Sequence, residues 1–228
     1  MATKTKKQEQ PDINIAETFS KTERYIDENK KSLGIIAGAI VLVVGGYFAY
    51  TTWILGPKEK EASEQMYVAE RYFEKDSLEL ALKGDGNYPG FLQIIDDYGM
   101  TESANLSHYY AGVIYLRQGN YEKAIEHLKD YDADDQMTRA MSFGTIGDAY
   151  MEMGNTDEAI SYYGKAANSD PNKFTTPLFL LKKGMAEEAA GKHKQALETY
   201  QTIRNKYPDS AEGRDIDKYI GKLEAMNR

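Results

Sequence analysis

The chain contains no cysteine, which excludes disulfide staples, thiolate catalysis, thiol-bound metal and attachment through an N-terminal lipid-modified cysteine. That absence is compatible with an oxidising compartment. Histidine is scarce: His108, His127 and His193 are the only three, and no ligand spacing surrounds them. No HExxH, P-loop, G-x-S-x-G or EF-hand pattern is present. Asp96–Asp97 and Asp134–Asp135 are adjacent pairs, and helix neighbours do not face each other as an acid/base dyad must. They read as solvated loop and helix-end charges. The Gly84-Asp85-Gly86-Asn87 run has calcium-loop residue types without the spacing or the terminal Glu, so it reads as a turn. Positive charge is also in deficit, with 28 Lys plus Arg against 36 Asp plus Glu, and nucleic acid is a poor partner for such a surface. The expectation is a non-enzymatic protein with no metal and no cofactor.

One stretch lacks charge altogether. From Leu33 to Leu55 the chain runs 23 residues, LGIIAGAIVLVVGGYFAYTTWIL, without one charged side chain. A helix of that length reaches about 35 Å, enough to cross a hydrocarbon core of about 30 Å. Lys30 and Lys31 precede it, Lys58 and Lys60 follow, and Tyr47, Tyr50 and Trp53 gather in its second half, where amphipathic rings favour a headgroup layer. The run is longer than a signal-peptide core and no small-x-small cleavage site follows, so it reads as one uncleaved span. Basic residues close to the span are balanced on its two sides. Lys4, Lys6 and Lys7 tip the balance toward a cytoplasmic N-terminus with the large domain translocated. Residues 1–32 form the tail, with Met1 to Asp12 expected to be disordered and Ile15, Phe19, Thr22 and Ile26 spaced for a short interfacial helix.

Beyond the span the chain repeats itself. GNYEKA at 119–124, GNTDEA at 154–159 and GKHKQA at 191–196 stand in register, at periods of 35 and then 37 residues. Seven residues before each leading Gly is another, Gly112, Gly147 and Gly184. Tyr115, Tyr150 and, less typically, Glu187 lie four before it, and Leu128, Tyr163 and Tyr200 lie four beyond each Ala. Pro171 and Pro208 close the second and third copies. This pattern resembles the tetratricopeptide repeat, a helix, a tight turn and an antiparallel helix. The expected fold is therefore all-α, a single N-terminal transmembrane helix (33–55) followed by a tetratricopeptide-repeat α-solenoid.

Within the solenoid, residues 56–104 read as a degenerate first unit holding an insertion, 105–208 as three clear repeats, and 209–228 as a C-terminal capping helix. That last helix is expected to open on a capping box from Asp209 to Glu212. Asp76-Ser77-Leu78 and Asp209-Ser210-Ala211 look like a short bacterial O-glycosylation acceptor motif, at Ser77 and Ser210. Each has an Asp three residues before a Glu, so helix capping accounts for both without a sugar.

The resemblance also implies a binding face, because the first helix of each tetratricopeptide unit lines the concave side. Carried across, that gives Leu106, Tyr109, Val113 and Leu116, with Arg117 nearby, then Met141, Asp148 and Met151, then Leu178, Leu181 and Met185. Such a groove, apolar and with three pliable methionines, suits extended or amphipathic peptides better than an anionic C-terminal tail. The protein's own terminal helix or first unit could equally fill it. A second surface lies in the span, where Gly34, Gly38, Val41, Gly45 and Ala49 make a stripe of mostly small residues that lets helices pack closely in lipid. Glycine is common in membrane helices, so the stripe reads either as composition or as a docking face.

Short tail, early span and acidic repeat array together form a layout similar to the bacterial YfgM family, ancillary subunits of the Sec translocon. The GDGNYPGF segment at 84–91 is not part of the generic repeat pattern. The resemblance implies a chaperone-like adaptor in the inner membrane, with its repeats periplasmic beside SecYEG, working with a PpiD-like prolyl isomerase on secretory polypeptide clients. A scaffold for envelope assembly or cell division, binding folded partners, is the alternative.

Overall fold

A computed structural model describes residues 15–226, with side chains from residue 23 onward. The expected disorder of Met1 to Asp12 lies outside the described residues. The chain divides after Ile54 into two units.

In the first unit, α1 runs over Ile15–Tyr50, and a five-residue π-helix, Thr51–Leu55, follows it. The short interfacial helix expected near the start is not a separate element. No Gly or Pro stands between Ile15 and Leu33 to break it, so the same helix continues into the apolar span. An Arg24–Glu28 ion pair of 2.8 Å supports the turn before the span. Ile35, Leu42 and Val43 are largely exposed, an arrangement stable in lipid and not in water. Among the described residues this is the one helix long and apolar enough to cross a membrane.

The second unit is built from ten helices among the described residues: α2 (Gly56–Glu74), α3 (Leu78–Lys83), α4 (Phe91–Tyr98), α5 (Glu102–Arg117), α6 (Tyr121–Asp130), α7 (Gln136–Glu152), α8 (Thr156–Ser169), α9 (Thr175–Ala189), α10 (His193–Lys206) and α11 (Ala211–Met226). Its one extended feature is an isolated bridge between Gly84 and Pro89. Helices pair in chain order, α5 with α6, α7 with α8 and α9 with α10, and each pair packs on the next.

The repeated glycines explain the pairing. Gly119, Gly154 and Gly191 take φ of 76°, 76° and 71°, the left-handed turn that lets the second helix double back. Gly112, Gly147 and Gly184 do something different. A β-carbon on them would come within 2.5 Å of Leu128, 2.7 Å of Tyr163 and 2.3 Å of Tyr200. The large residue after each Ala therefore fills the notch left by the glycine of the preceding helix. Ala124, Ala159 and Ala196, one turn before these large residues, are all fully buried.

Upstream, α2 and α4 form the degenerate unit, and Phe91 stacks on Tyr110 at 4.7 Å to join it to α5. The insertion between them contains α3 and then a turn organised by Asp85. That carboxylate accepts from the Asn87 and Tyr88 amides at 2.9 and 2.8 Å and from the Tyr72 hydroxyl at 2.8 Å. Two of its partners lie in the turn itself and the third ties the turn to α2. Downstream, α11 buries Ile216, Ile220 and Leu223 against Ala196, Tyr200 and Ile203.

Two capping expectations need correction. Ser210, not Asp209, caps α11, its hydroxyl accepting from the Gly213 amide at 2.9 Å, because the helix starts one residue later than the box required. At α3 no side chain caps the helix. Asp76 sits at φ 57° and its carboxylate lies 3.4 Å from Arg117 instead.

A candidate peptide-binding face on the repeat array

The residues expected on the concave side separate into three groups. Leu116 of α5 and Asp148 and Met151 of α7 come together around one open cavity of about 460 Å³, joined by Tyr121, Glu152 and Tyr163. Met141 and Met185 are exposed on α7 and α9, at 37% and 49%, outside that cavity. The others serve packing. Leu106 lies against the first core cluster, Tyr109 against the cluster that joins α5 and α6 to α7 and α8, and Leu178 and Leu181 against the clusters of the last repeats. Val113 is half-buried.

Arg117 is committed elsewhere. Its guanidinium lies 4.9 Å over the Phe73 ring and 3.4 Å from Asp76, tying α5 to α2 and the turn that follows it.

Asp148 is the polar centre of the cavity. The Lys182 ammonium of α9 reaches both its oxygens at 2.7 Å, and the Tyr163 hydroxyl donates to one of them at 2.7 Å. Burial and then this bond to a carboxylate push the Tyr163 phenol well above its ordinary value, so it stays a donor. The carboxylate is thus satisfied internally, and its salt bridge links neighbouring repeats. Leu116, Met151 and two tyrosines supply an apolar surface around it, and Glu152 leaves the rim acidic. Among the described residues neither α11 nor α2 lies over α7: α11 packs on α9 and α10, and α2 on α3, α4 and α5.

Two features escaped sequence reasoning. His108 and His127, 19 residues apart, meet across α5 and α6 with their Nδ1 atoms 3.2 Å apart, His127 stacked on Tyr115 at 5.4 Å. Burial lowers both imidazole pKa values, and His108 lowers that of His127 further. Their spacing fits no local helical interval; only the antiparallel pairing of the helices brings them together. No group of three His, Cys, Asp or Glu side chains suited to a metal occurs among the described residues. The second is Glu187, buried at the place where the other repeats carry Tyr115 and Tyr150. It accepts from Thr199 at 2.7 Å and pairs with Lys183 at 3.0 Å.

In the span, Gly34, Gly38 and Gly45 have open space where a side chain would stand, and Val41 is 69% exposed. Ala49 is half-buried.

Comparison with protein families gives three matches, each described as a tetratricopeptide repeat, over residues 91–137, 142–173 and 179–210. They coincide with α4 to α6, with α7 and α8, and with α9 and α10. Residues 91–210 thus carry tetratricopeptide repeats, and such repeats indicate a protein–protein interaction adaptor role. A comparison with curated proteins found no match.

Proposed function

We propose that the protein is a membrane-anchored adaptor whose concave face holds extended or amphipathic peptide segments beside the Sec translocon. In this reading it stands on the periplasmic side of a bacterial inner membrane, with SecYEG and a PpiD-like isomerase as partners and secretory polypeptides as clients. The observation that supports the peptide-binding part is the open cavity at Leu116, Asp148 and Met151, over which neither α2 nor α11 packs among the described residues. Leu116, Met151 and two tyrosine rings give its mixed walls apolar patches, its central Asp148 is already paired, and Glu152 makes its rim acidic. An apolar side chain flanked by neutral or basic residues fits such a surface better than an anionic tail does. The likeness to the YfgM layout carries the choice of translocon.

Met151→Glu places a second charge beside Glu152 and is expected to weaken partner recovery by about tenfold while the helical content by circular dichroism is retained. Purification in mild detergent with quantification of SecY tests the translocon assignment, and reproducible absence of SecY would sink it in favour of an envelope scaffold. Partner recovery unaffected by Met151→Glu would remove the groove from the account.

A further inference from the structure

A second cavity, of about 260 Å³, opens between α6, α7 and α8. Its α7 wall is formed by Arg139, Ser142, Phe143 and Ile146, of which Arg139 and Ile146 stand nine and two residues before Asp148 of the groove. At about 100° per residue both intervals come to about 180° to 200° around the helix, so this cavity faces away from the groove described above. Three cations line it, Lys129, Arg139 and Lys165, and Asp132 is its only carboxylate.

None of the three forms an ion pair with a described residue; their positions are fixed in other ways. Lys129 lies 3.4 Å from the Tyr150 hydroxyl and 5.9 Å from the Tyr162 ring centroid, and Lys165 lies 4.1 Å from that same centroid. The Arg139 guanidinium donates to the Ala133 carbonyl, which orients the fork while leaving other N–H groups free. In a chain with 36 acidic side chains and a net charge of −8, convergence of three cations with one carboxylate reverses the local sign. Their mutual repulsion is relieved by an anion bound between them. A planar guanidinium beside ammonium groups matches a carboxylate, and the Phe143 and Tyr162 rings supply apolar contact that a bare inorganic ion does not use.

We propose that this cavity is a second docking site, one that takes an acidic peptide segment of a partner protein with a carboxylate seated among Lys129, Arg139 and Lys165. Its volume suits one or two side chains of an extended segment and not a folded surface. The site would let the array hold two different segments at once, an apolar one in the groove and an acidic one on the opposite side of α7.

The test is fluorescence anisotropy with the full chain in detergent micelles and a fluorescein-labelled Glu-Glu-Phe-Glu-Glu peptide. The proposal expects saturable binding that weakens with added salt. It expects about a tenfold loss of affinity in Lys129→Gln with Lys165→Gln, and again in Arg139→Gln. A peptide with Lys in place of Glu should not bind, Met151→Glu should leave affinity unchanged, and millimolar phosphate should not displace the peptide. Absence of binding, or equal affinity in the charge variants, overturns the proposal. Loss of binding in Met151→Glu moves the acidic peptide to the groove and overturns it too, and displacement by phosphate reduces the cavity to a simple anion site.

Discussion

Replacing Gly184 by Ala adds one methyl group, and the structure fixes the sign of its effect. A β-carbon there would lie 2.3, 2.8 and 2.9 Å from three carbons of the Tyr200 ring. Ordinary carbon contacts are about 3.5 to 4.0 Å, so the overlap is about 1 Å or more. The ring cannot yield easily: it is fully buried, and its hydroxyl is held at 2.8 Å by Glu188, itself bonded to Lys222 of α11 at 2.6 Å. Overpacking of this kind costs about 3 kcal/mol, against about 1 kcal/mol gained when a helical glycine becomes alanine. The net expectation is about 2 kcal/mol of destabilisation, a fall of about 4 to 8 °C in thermal midpoint for a domain of this size. Gly221 in α11 provides the control, because nothing lies within 4 Å of its added β-carbon. There the same substitution should stabilise, by about 0.5 to 1 kcal/mol. Far-UV circular dichroism of the full chain in detergent, heated in parallel for both variants, reads the difference. A Gly184→Ala midpoint equal to or above that of the parent protein would refute the interlocking of glycine and tyrosine as the basis of the repeat.

Removing the Lys183 partner of Glu187 leaves a buried carboxylate with only the Thr199 hydroxyl, so Lys183→Met is expected to cost about 2 kcal/mol in urea unfolding, most of it recovered by adding Glu187→Met. The histidine pair predicts a pH dependence: both folded-state pKa values lie below the ordinary 6.5, so the unfolded chain takes up protons first on acidification. This contribution to stability is complete above pH 6.5 and is lost as pH falls through that value toward the folded pKa values. Thermal midpoints measured between about pH 7.5 and 5.5 should fall more steeply in the parent than in His108→Asn with His127→Asn, and equal slopes would refute it. In the span, Gly38→Leu fills open space on the stripe and is expected to release partner complexes without preventing membrane insertion; unchanged co-purification would argue against a docking role.

The repeat register was legible in the sequence because the contact it encodes is short-range and recurs. A glycine, a turn glycine, an alanine and a large residue at fixed intervals are enough to describe a helical hairpin. The apolar span was legible for a similar reason, being continuous in the chain. The groove was legible only in part. Leu116, Asp148 and Met151 line one cavity, but repeat position cannot tell that Tyr109 is taken up by packing between repeats or that Phe73 and Asp76 hold Arg117. Those outcomes depend on side chains from other units, whose approach no local interval encodes. The same holds for the histidine pair and for the three cations of the α6–α8 cavity, each assembled from more than one helix. At α11 the error was a single residue, because Asp209 and Ser210 are both competent caps and only the start of the helix decides between them.

The notch-and-ring contact joins Gly112 to Leu128, Gly147 to Tyr163 and Gly184 to Tyr200, a separation of 16 residues each time. Nothing distant in the chain is needed to close it. Loop-closure entropy is small over so short a distance, and arrays of this kind can nucleate in any unit and grow by adding neighbours. Each hairpin can therefore form soon after its second helix emerges during synthesis, before the next repeat exists. A chain built this way avoids long waits for remote partners, and its folding rate should be set by the single hairpin and not by the length of the array.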